Sequence, residues 1–207
     1  MTSETTAPVP ASRPAETSVP LVPLLAERWS PRSFDPAHRL AADELTALLE
    51  AARWAPSATN SQPWRFLVAE RGEGAHAALG DLLAPGNRVW APDASALVLV
   101  LAEEVDAEGR HRAWASYDAG LAVAQLTVQA SALGLGVHQM GGFDRSGAVA
   151  RLDLPSGLRP LVVLAVGRPA AADRLPADLA ARETAPRVRR PLEELLVRPA
   201  AARRAAA

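Results

Sequence analysis

Two short polar segments hold most of the residues in this chain whose types and spacing could do chemistry. The first is Arg28-Trp29-Ser30-Pro31-Arg32-Ser33-Phe34. Pro31 disfavours the α region at Ser30, so the backbone there is expected to be extended. In extended chain, residues two apart face the same way, which puts Arg28, Ser30 and Arg32 on one side. Two guanidinium forks flanking a hydroxyl make a receptor for phosphate or a similar anion. A solvated basic loop would read the same way if this segment stood alone.

The second segment, residues 55–66, packs Pro56, Ser57, Thr59, Asn60, Ser61 and Gln62 between a helical pattern and the strand-like run that begins at Trp64. Ser and Asn favour turns for local reasons. Turn chemistry does not, however, dictate Gln62 or Trp64. Both segments lie in chain that cannot be regular helix, and together they suit the grip of a small, polyanionic, ring-bearing ligand. Two further runs stand out. Gly134-Leu135-Gly136-Val137-His138-Gln139-Met140-Gly141-Gly142-Phe143-Asp144 reads on its own as a glycine-rich turn closing a strand. Pro186-Arg187-Val188-Arg189-Arg190-Pro191 reads on its own as a surface charge run.

The elements that must position these segments follow from periodicity. Leu45, Leu48, Leu49 and Ala52 keep the i, i+3, i+4, i+7 spacing, which predicts a helix over 43–54 that stops before Pro56. A strand is expected over 64–69, with Pro63 at its start, where a missing N–H is tolerated. Residues 75–83 give a weaker helix, and 95–102 an apolar strand buried on both faces. The longest helical pattern runs over 112–133 and is closed by Gly134. Its small residues allow close approach of another helix, while Asp118, Gln125 and Gln129 argue against a membrane span. Strands over 136–139 and 161–166 flank a short helix near 146–152. The sum is a mixed α+β layer fold around a central sheet.

Composition narrows the chemistry. At 207 residues and 49% hydrophobic, the chain can bury one core, so a single domain over 21–198 is expected, with a disordered leader at 1–20 and tail at 199–207. A net charge of -1 argues against a general nucleic-acid binder. There is no Lys, so an anion site must use guanidinium or backbone N–H groups, and Schiff-base chemistry is excluded. There is no Cys, which removes disulfides, thiolate metal sites and a cysteine nucleophile and fits a cytoplasmic setting. The four His are scattered without metal-ligand spacing, and His138 reads as a packed strand residue; no metal and no catalytic acid–base pair are expected. No apolar run reaches membrane-spanning length.

The two opening segments, in this order and separated by one helix, resemble the flavin-binding signature of the nitroreductase (flavin reductase) superfamily, and the resemblance continues over residues 24–196. It implies an α+β fold with a central, mostly antiparallel sheet flanked by helices and a C-terminal segment wrapping a partner subunit. It further implies a homodimer with FMN at each interface. Arg28, Trp29, Ser30, Arg32, Arg187 and Arg189 of one chain would meet one flavin, with Arg190 pointing away. Pro56, Ser57, Asn60 and Gln62 would serve the other. Gln139, Met140, Gly141 and Gly142 match the strand and loop beside the central ring, Gly141 at the position whose N–H meets N5. Asn87 falls where the family places a side chain against the pyrimidine edge. Trp90 stands where many members carry a basic residue, which implies that this contact is lost or is supplied by Arg32.

The implied activity is two-electron, ping-pong reduction of nitroaromatic or quinone-type acceptors with NADH or NADPH as reductant. The flavin would carry the chemistry, so no catalytic residue is expected in the protein. The segment over 103–111 is short where several members insert helices, which implies an open or differently lidded pocket lined by Trp114 or Tyr117. Two other readings fit the same residues: a flavin enzyme of this fold with dehalogenating or flavin-fragmenting chemistry, and a non-enzymatic flavin-binding protein.

Overall fold

The computed structural model of the chain describes residues 13–197. Expectations for 1–12 and 199–207 lie outside the described residues. Within 13–20, the described part of the expected leader, the chain forms neither helix nor strand.

Four strands form one sheet: β1 (Trp64–Glu70), β2 (Ala96–Glu103), β3 (Gly136–Met140) and β4 (Leu158–Gly167). Their order is β1-β2-β4-β3, and every pairing is antiparallel. Seven α-helices accompany them among the described residues: α1 (Pro23–Glu27), α2 (Ala42–Arg53), α3 (Gly74–Leu82), α4 (Pro85–Arg88), α5 (Ala115–Ala132), α6 (Arg145–Arg151) and α7 (Ala177–Thr184).

The sheet has a core on each face. Ala96, Val98 and Val100 of β2 pack with Leu48 and Ala52 of α2 and Ala119, Ala122, Val123 and Leu126 of α5. Leu97, Leu99 and Leu101 point the other way, toward Leu79 and Leu82 of α3, Ala148 of α6 and Leu179 of α7. This explains an unbroken apolar run in an antiparallel strand: helices cover both faces, so strict alternation with polar residues is not needed. Each fully buried Leu or Val here contributes roughly 1.5–3 kcal/mol of transfer free energy.

Three local differences from the sequence reading have physical causes. α5 begins at Ala115 rather than at 112, because the Arg112 N–H donates to the Glu104 carbonyl (2.7 Å) and its guanidinium pairs with Glu103. These ties hold Arg112 to the end of β2. β4 starts at Leu158 and runs through Pro160, which faces Leu101 where the β2–β4 register shifts. Such an irregularity is where an interior strand tolerates proline. α1 and α4 are too short to show an apolar period, and α7 has Leu179 as its only large apolar residue; α1 buries none of its residues.

The end of α5 is as expected. Gly134 takes φ +70°, its N–H donates to the Ser131 carbonyl (3.1 Å), and the Leu135 N–H reaches back to Ala130 (2.8 Å). This is a Schellman closure, for which glycine is the low-strain choice. It turns the chain directly into β3, the edge strand along which the first polar segment lies. There Pro31 sits so close to Gly136 that any side chain at 136 would run into its ring.

Candidate functional site

Residues 28–33 are laid along β3 by contacts far apart in sequence. The Pro31 carbonyl lies 3.0 Å from Nδ1 of His138. A carbonyl can only accept, so Nδ1 carries the proton and donates. Burial pushes the His138 imidazole down to about 4, the carbonyls of Pro31 and Ser30 acting upward and Arg32 downward, so the ring is neutral at pH 7. Its other face meets Trp90, with ring centroids 4.6 Å apart. His138 is therefore a packed tether for the segment. The Ser33 hydroxyl donates to the Ala171 carbonyl (2.6 Å), and Phe34 is fully buried.

This placement leaves Arg28, Trp29, Ser30 and Arg32 along a cleft of about 240 Å³ whose opposite wall is the stretch after α7, including Arg187 and Arg189. Arg13 and Arg182 also line it, making six guanidinium groups, and the one carboxylate in the wall is Glu183. Arg190 is exposed and outside the cleft.

Glu183 joins the two walls. Its carboxylate accepts the Arg32 backbone N–H (3.1 Å to each oxygen) and Trp29 Nε1 (3.3 Å), and pairs with the Arg32 guanidinium at 3.6 Å. With Glu183 engaged in this way, the other arginines have no carboxylate partner in the cleft. Burial, followed by the charge of Arg189, lowers the pKa of Arg28. Arg187 is lowered first by burial and then by Arg28, Arg189 and Arg13. Like charges held this close in a half-buried cleft favour an anion between them. Arg28 has no hydrogen-bond or ion-pair partner among the described residues. Arg187, in contrast, already donates from Nη1 to the carbonyls of Ala26 (2.6 Å) and Arg13 (2.8 Å).

Residues 56–62 do not line this cleft. They form a tight turn between α2 and β1 in which Thr59, Asn60 and Gln62 all take left-handed backbone, at φ +53°, +56° and +44°. For β-branched Thr59 that conformation is a true outlier, costing on the order of 1–2 kcal/mol. The turn is held by the Ala58 N–H to Asp118 Oδ2 (3.1 Å), the Gln62 N–H to the Ser57 hydroxyl (3.0 Å) and Gln62 Nε2 to the Asn60 carbonyl (3.0 Å). Arg65 adds a bond from Nη1 to the Gln62 carbonyl at 2.9 Å. Pro56, Asn60 and Gln62 remain exposed, and the Asn60 side-chain amide has no partner among the described residues. Backbone strain of this kind, over-determined by its surroundings, is a marker of binding sites.

At the end of β3, Gln139 is exposed, whereas Met140 is buried and can offer a ligand only its backbone. Gly141 faces open space where a side chain would be, and Gly142 lies against Ala84. Neither glycine N–H finds an acceptor among the turn and loop bonds of the described residues. The Ala84 N–H donates to the Gly142 carbonyl (2.9 Å), which fastens α4, and Asn87 within it, beside this loop.

Trp90 presents nothing to a ligand: it is 1% exposed, between Phe34 and His138. Its large apolar ring fills the core under β3, so that position is one of packing. Residues 103–111 form a short turn in which Val105 bridges to His111. Trp114 and Tyr117 are 62% and 64% exposed, meet edge to face, and lie at the start of α5 beside Asp118. No cluster of potential metal ligands is present among the described residues. Nor is any helix there long and apolar enough to cross a membrane.

Sequence reading missed Arg13, Arg182, Glu183 and Asp118. The last two carry the only buried carboxylates among the described residues. Nothing in the sequence marks Glu183 as buried or links Asp118 to a turn 60 positions away.

Comparison with known proteins finds a family model and several relatives. The family model described as "Nitroreductase family" matches residues 25–168. An uncharacterized 15.4 kDa protein of Mycolicibacterium smegmatis is 43% identical over 141 residues, which is 63% of this chain and 92% of that protein. The oxygen-insensitive NAD(P)H nitroreductase of Salmonella typhimurium is 41% identical over 54 residues, 26% of this chain and 25% of that protein. Among solved structures, one described as "the oxidoreductase containing FMN" superposes with a TM-score of 0.83 at 38% identity, covering 88% of this chain and 93% of that one.

Proposed function

Because the chain belongs to the nitroreductase family, we propose that it is an FMN-dependent oxidoreductase that takes electrons from NADH or NADPH and passes them to a nitroaromatic or quinone-type acceptor. The observation that carries this reading is the cleft: Arg28, Ser30, Arg32, Arg187 and Arg189 meet there, with a single carboxylate among them. Family likeness supports the cofactor, since the solved relative is described as containing FMN and the Salmonella typhimurium relative as an NAD(P)H nitroreductase.

The residues present fit FMN. Guanidinium forks suit its phosphate. The open space over Gly141 lets a planar ring approach the backbone, where a free N–H can donate to a ring nitrogen. FMN, when bound, supplies two-electron transfer; the protein's part is to bind, orient and tune it. Arg28 and Arg189 would hold the phosphate. Ser30 and Arg32 face the same cavity, and the positive field there favours the anionic reduced form. Trp114 and Tyr117, exposed beside the Asp118 that ties the 56–62 turn, would offer an aromatic surface to a flat acceptor.

The reading requires two chains. The strained turn at 56–62 keeps Asn60 and Gln62 exposed yet outside its own chain's cleft, so it serves the flavin of a partner. Several exposed apolar side chains supply surface for that association. Leu21, Val22, Leu24 and Leu25 lie at and before α1, and Val188, Leu192, Leu195, Leu196 and Val197 lie after α7. The C-terminal stretch, with no buried residue in its 3-10 turn Leu192–Leu195, would wrap the partner.

The test is optical. The purified protein should be yellow, bleach with NADH or NADPH, recover with a quinone or nitroaromatic, and have the mass of a dimer in solution. Bound FMN that neither nucleotide reduces would make the chain a flavin-binding protein. Reduction without turnover of these acceptors would point to other flavin chemistry, and failure to take up FMN would end the reading.

A further inference from the structure

We propose that Arg13 is an anion-binding residue of this cleft, carried in by the N-terminal segment, and that it closes over the phosphate of the bound flavin. The proposal rests on the FMN reading above and adds a group that lies outside the residues matching the family, 25–168.

Three ties place the segment. The Ala15 N–H donates to the Ala26 carbonyl at the end of α1 (2.8 Å). The Arg13 carbonyl accepts from Arg187 Nη1 at 2.8 Å, and Arg13 Nη1 donates to the Ala185 carbonyl at 3.2 Å. The Arg13 guanidinium also lies over the Trp29 ring, 5.5 Å from its centroid. The segment thus spans from one wall of the cleft to the other, and its guanidinium lies in the cavity lining beside Arg28, Arg187 and Arg189.

The arrangement is not what a neutral strap needs. A backbone tie and an apolar residue over Trp29 would fix the segment equally well without adding charge to a cleft already rich in it. A guanidinium stacked on an aromatic face keeps its in-plane N–H groups free to donate. With Nη1 on Ala185, Nε and Nη2 of Arg13 have no acceptor among the described residues. The charge of Arg13 also acts on Arg187, lowering its pKa. An anion between them would relieve that repulsion and give both a partner. Trp29, held in place by Glu183, is the platform that orients the fork.

The test compares FMN with riboflavin, which has the same ring and lacks the phosphate. Each is titrated into the full-length flavin-free protein and followed by quenching of flavin fluorescence. Arg13→Ala should weaken FMN about tenfold, the loss of one charge-assisted contact, while riboflavin affinity stays as in the parent. Arg151→Ala, which removes an exposed arginine outside the cleft, should leave both ligands unchanged. Unchanged FMN affinity in Arg13→Ala would overturn the proposal. So would an equal loss for both flavins, which would make Arg13 a structural strap. A parent protein that binds neither flavin would overturn the FMN reading itself, an outcome distinct from the other two.

Discussion

The arginine cleft and the 56–62 turn are built on opposite plans. The cleft depends on contacts between distant parts of the chain: Glu183 reaches the Arg28–Arg32 segment across 151 positions, and His138 reaches Pro31 across 107. Its groups carry charge that the chain itself leaves largely unpaired. The turn is mostly local, with Ser57, Asn60 and Gln62 bonding one another in a strained left-handed path. One long-range bond, to Asp118, secures it. The cleft is a charge device, with one carboxylate among six guanidinium groups. The turn is a shape device, fixed mainly by its own bonds, whose exposed side chains stand outside the arginine cleft.

If this contrast is right, the two regions should fail differently. The largest effect belongs to charge. Arg28→Ala combined with Arg189→Ala removes two charge-assisted contacts, each about 1.5–3 kcal/mol, and should weaken FMN at least about 100-fold. Riboflavin should lose far less. A double variant that copurifies with full FMN would break the assignment of the cleft to phosphate.

Acid should loosen the cleft before the turn. His138 has a folded pKa of about 4 against an ordinary 6.5. Its pKa is depressed, so the unfolded chain takes up the proton first. The stability from a neutral His138 is therefore complete above about pH 6.5 and lost as pH falls toward 4, by up to about 3 kcal/mol. His38 and His76, also lowered mainly by burial, add in the same direction. Urea unfolding at pH 7 and pH 5 should show the loss, and His138→Leu should flatten the slope. An unchanged slope would detach His138 from the tether.

Asp118→Ala tests the other region. It leaves the Ala58 N–H without its partner in a partly buried place, at a cost of about 1 kcal/mol. Chemical denaturation should register it, together with weaker flavin retention that affects FMN and riboflavin alike. The smallest expected effect on stability is at Gly141. A methyl there meets nothing within the chain, so Gly141→Ala should change unfolding by no more than about 0.5 kcal/mol. Flavin affinity or reduction by NAD(P)H should nevertheless suffer, because the methyl occupies the approach to the ring.

Much of the fold was legible because β2, α2 and α5 carry strong periodic or continuous apolar signals tied to burial on one or both faces of the sheet. α1, α4 and α7 were not. α1 buries nothing, α4 is one turn around Gly86, and α7 hides a glutamate where an apolar residue would have marked the pattern. The site divides in the same way. Arg28–Arg32, Pro56–Gln62 and Arg187–Arg189 are contiguous, so their spacing could be read. Arg13, Glu183 and Asp118 act only once the chain has folded, through hydrogen-bond partners 60 or more positions away. Trp90 shows the converse: placed by alignment beside a ligand, it is held in the core by Phe34 and His138.

The claim that one site needs both regions, from different chains, can be tested by mixing. One variant carries Arg28→Ala and Arg189→Ala; the other carries Asn60→Ala and Gln62→Ala. Each alone should retain little FMN. In a mixed dimer, one site collects both defects and the other collects none. Unfolding and refolding the two together should therefore restore FMN at about one quarter of all sites. Mixtures that bind no more FMN than the separate variants would show that both regions grip the flavin within a single chain, and would contradict the account.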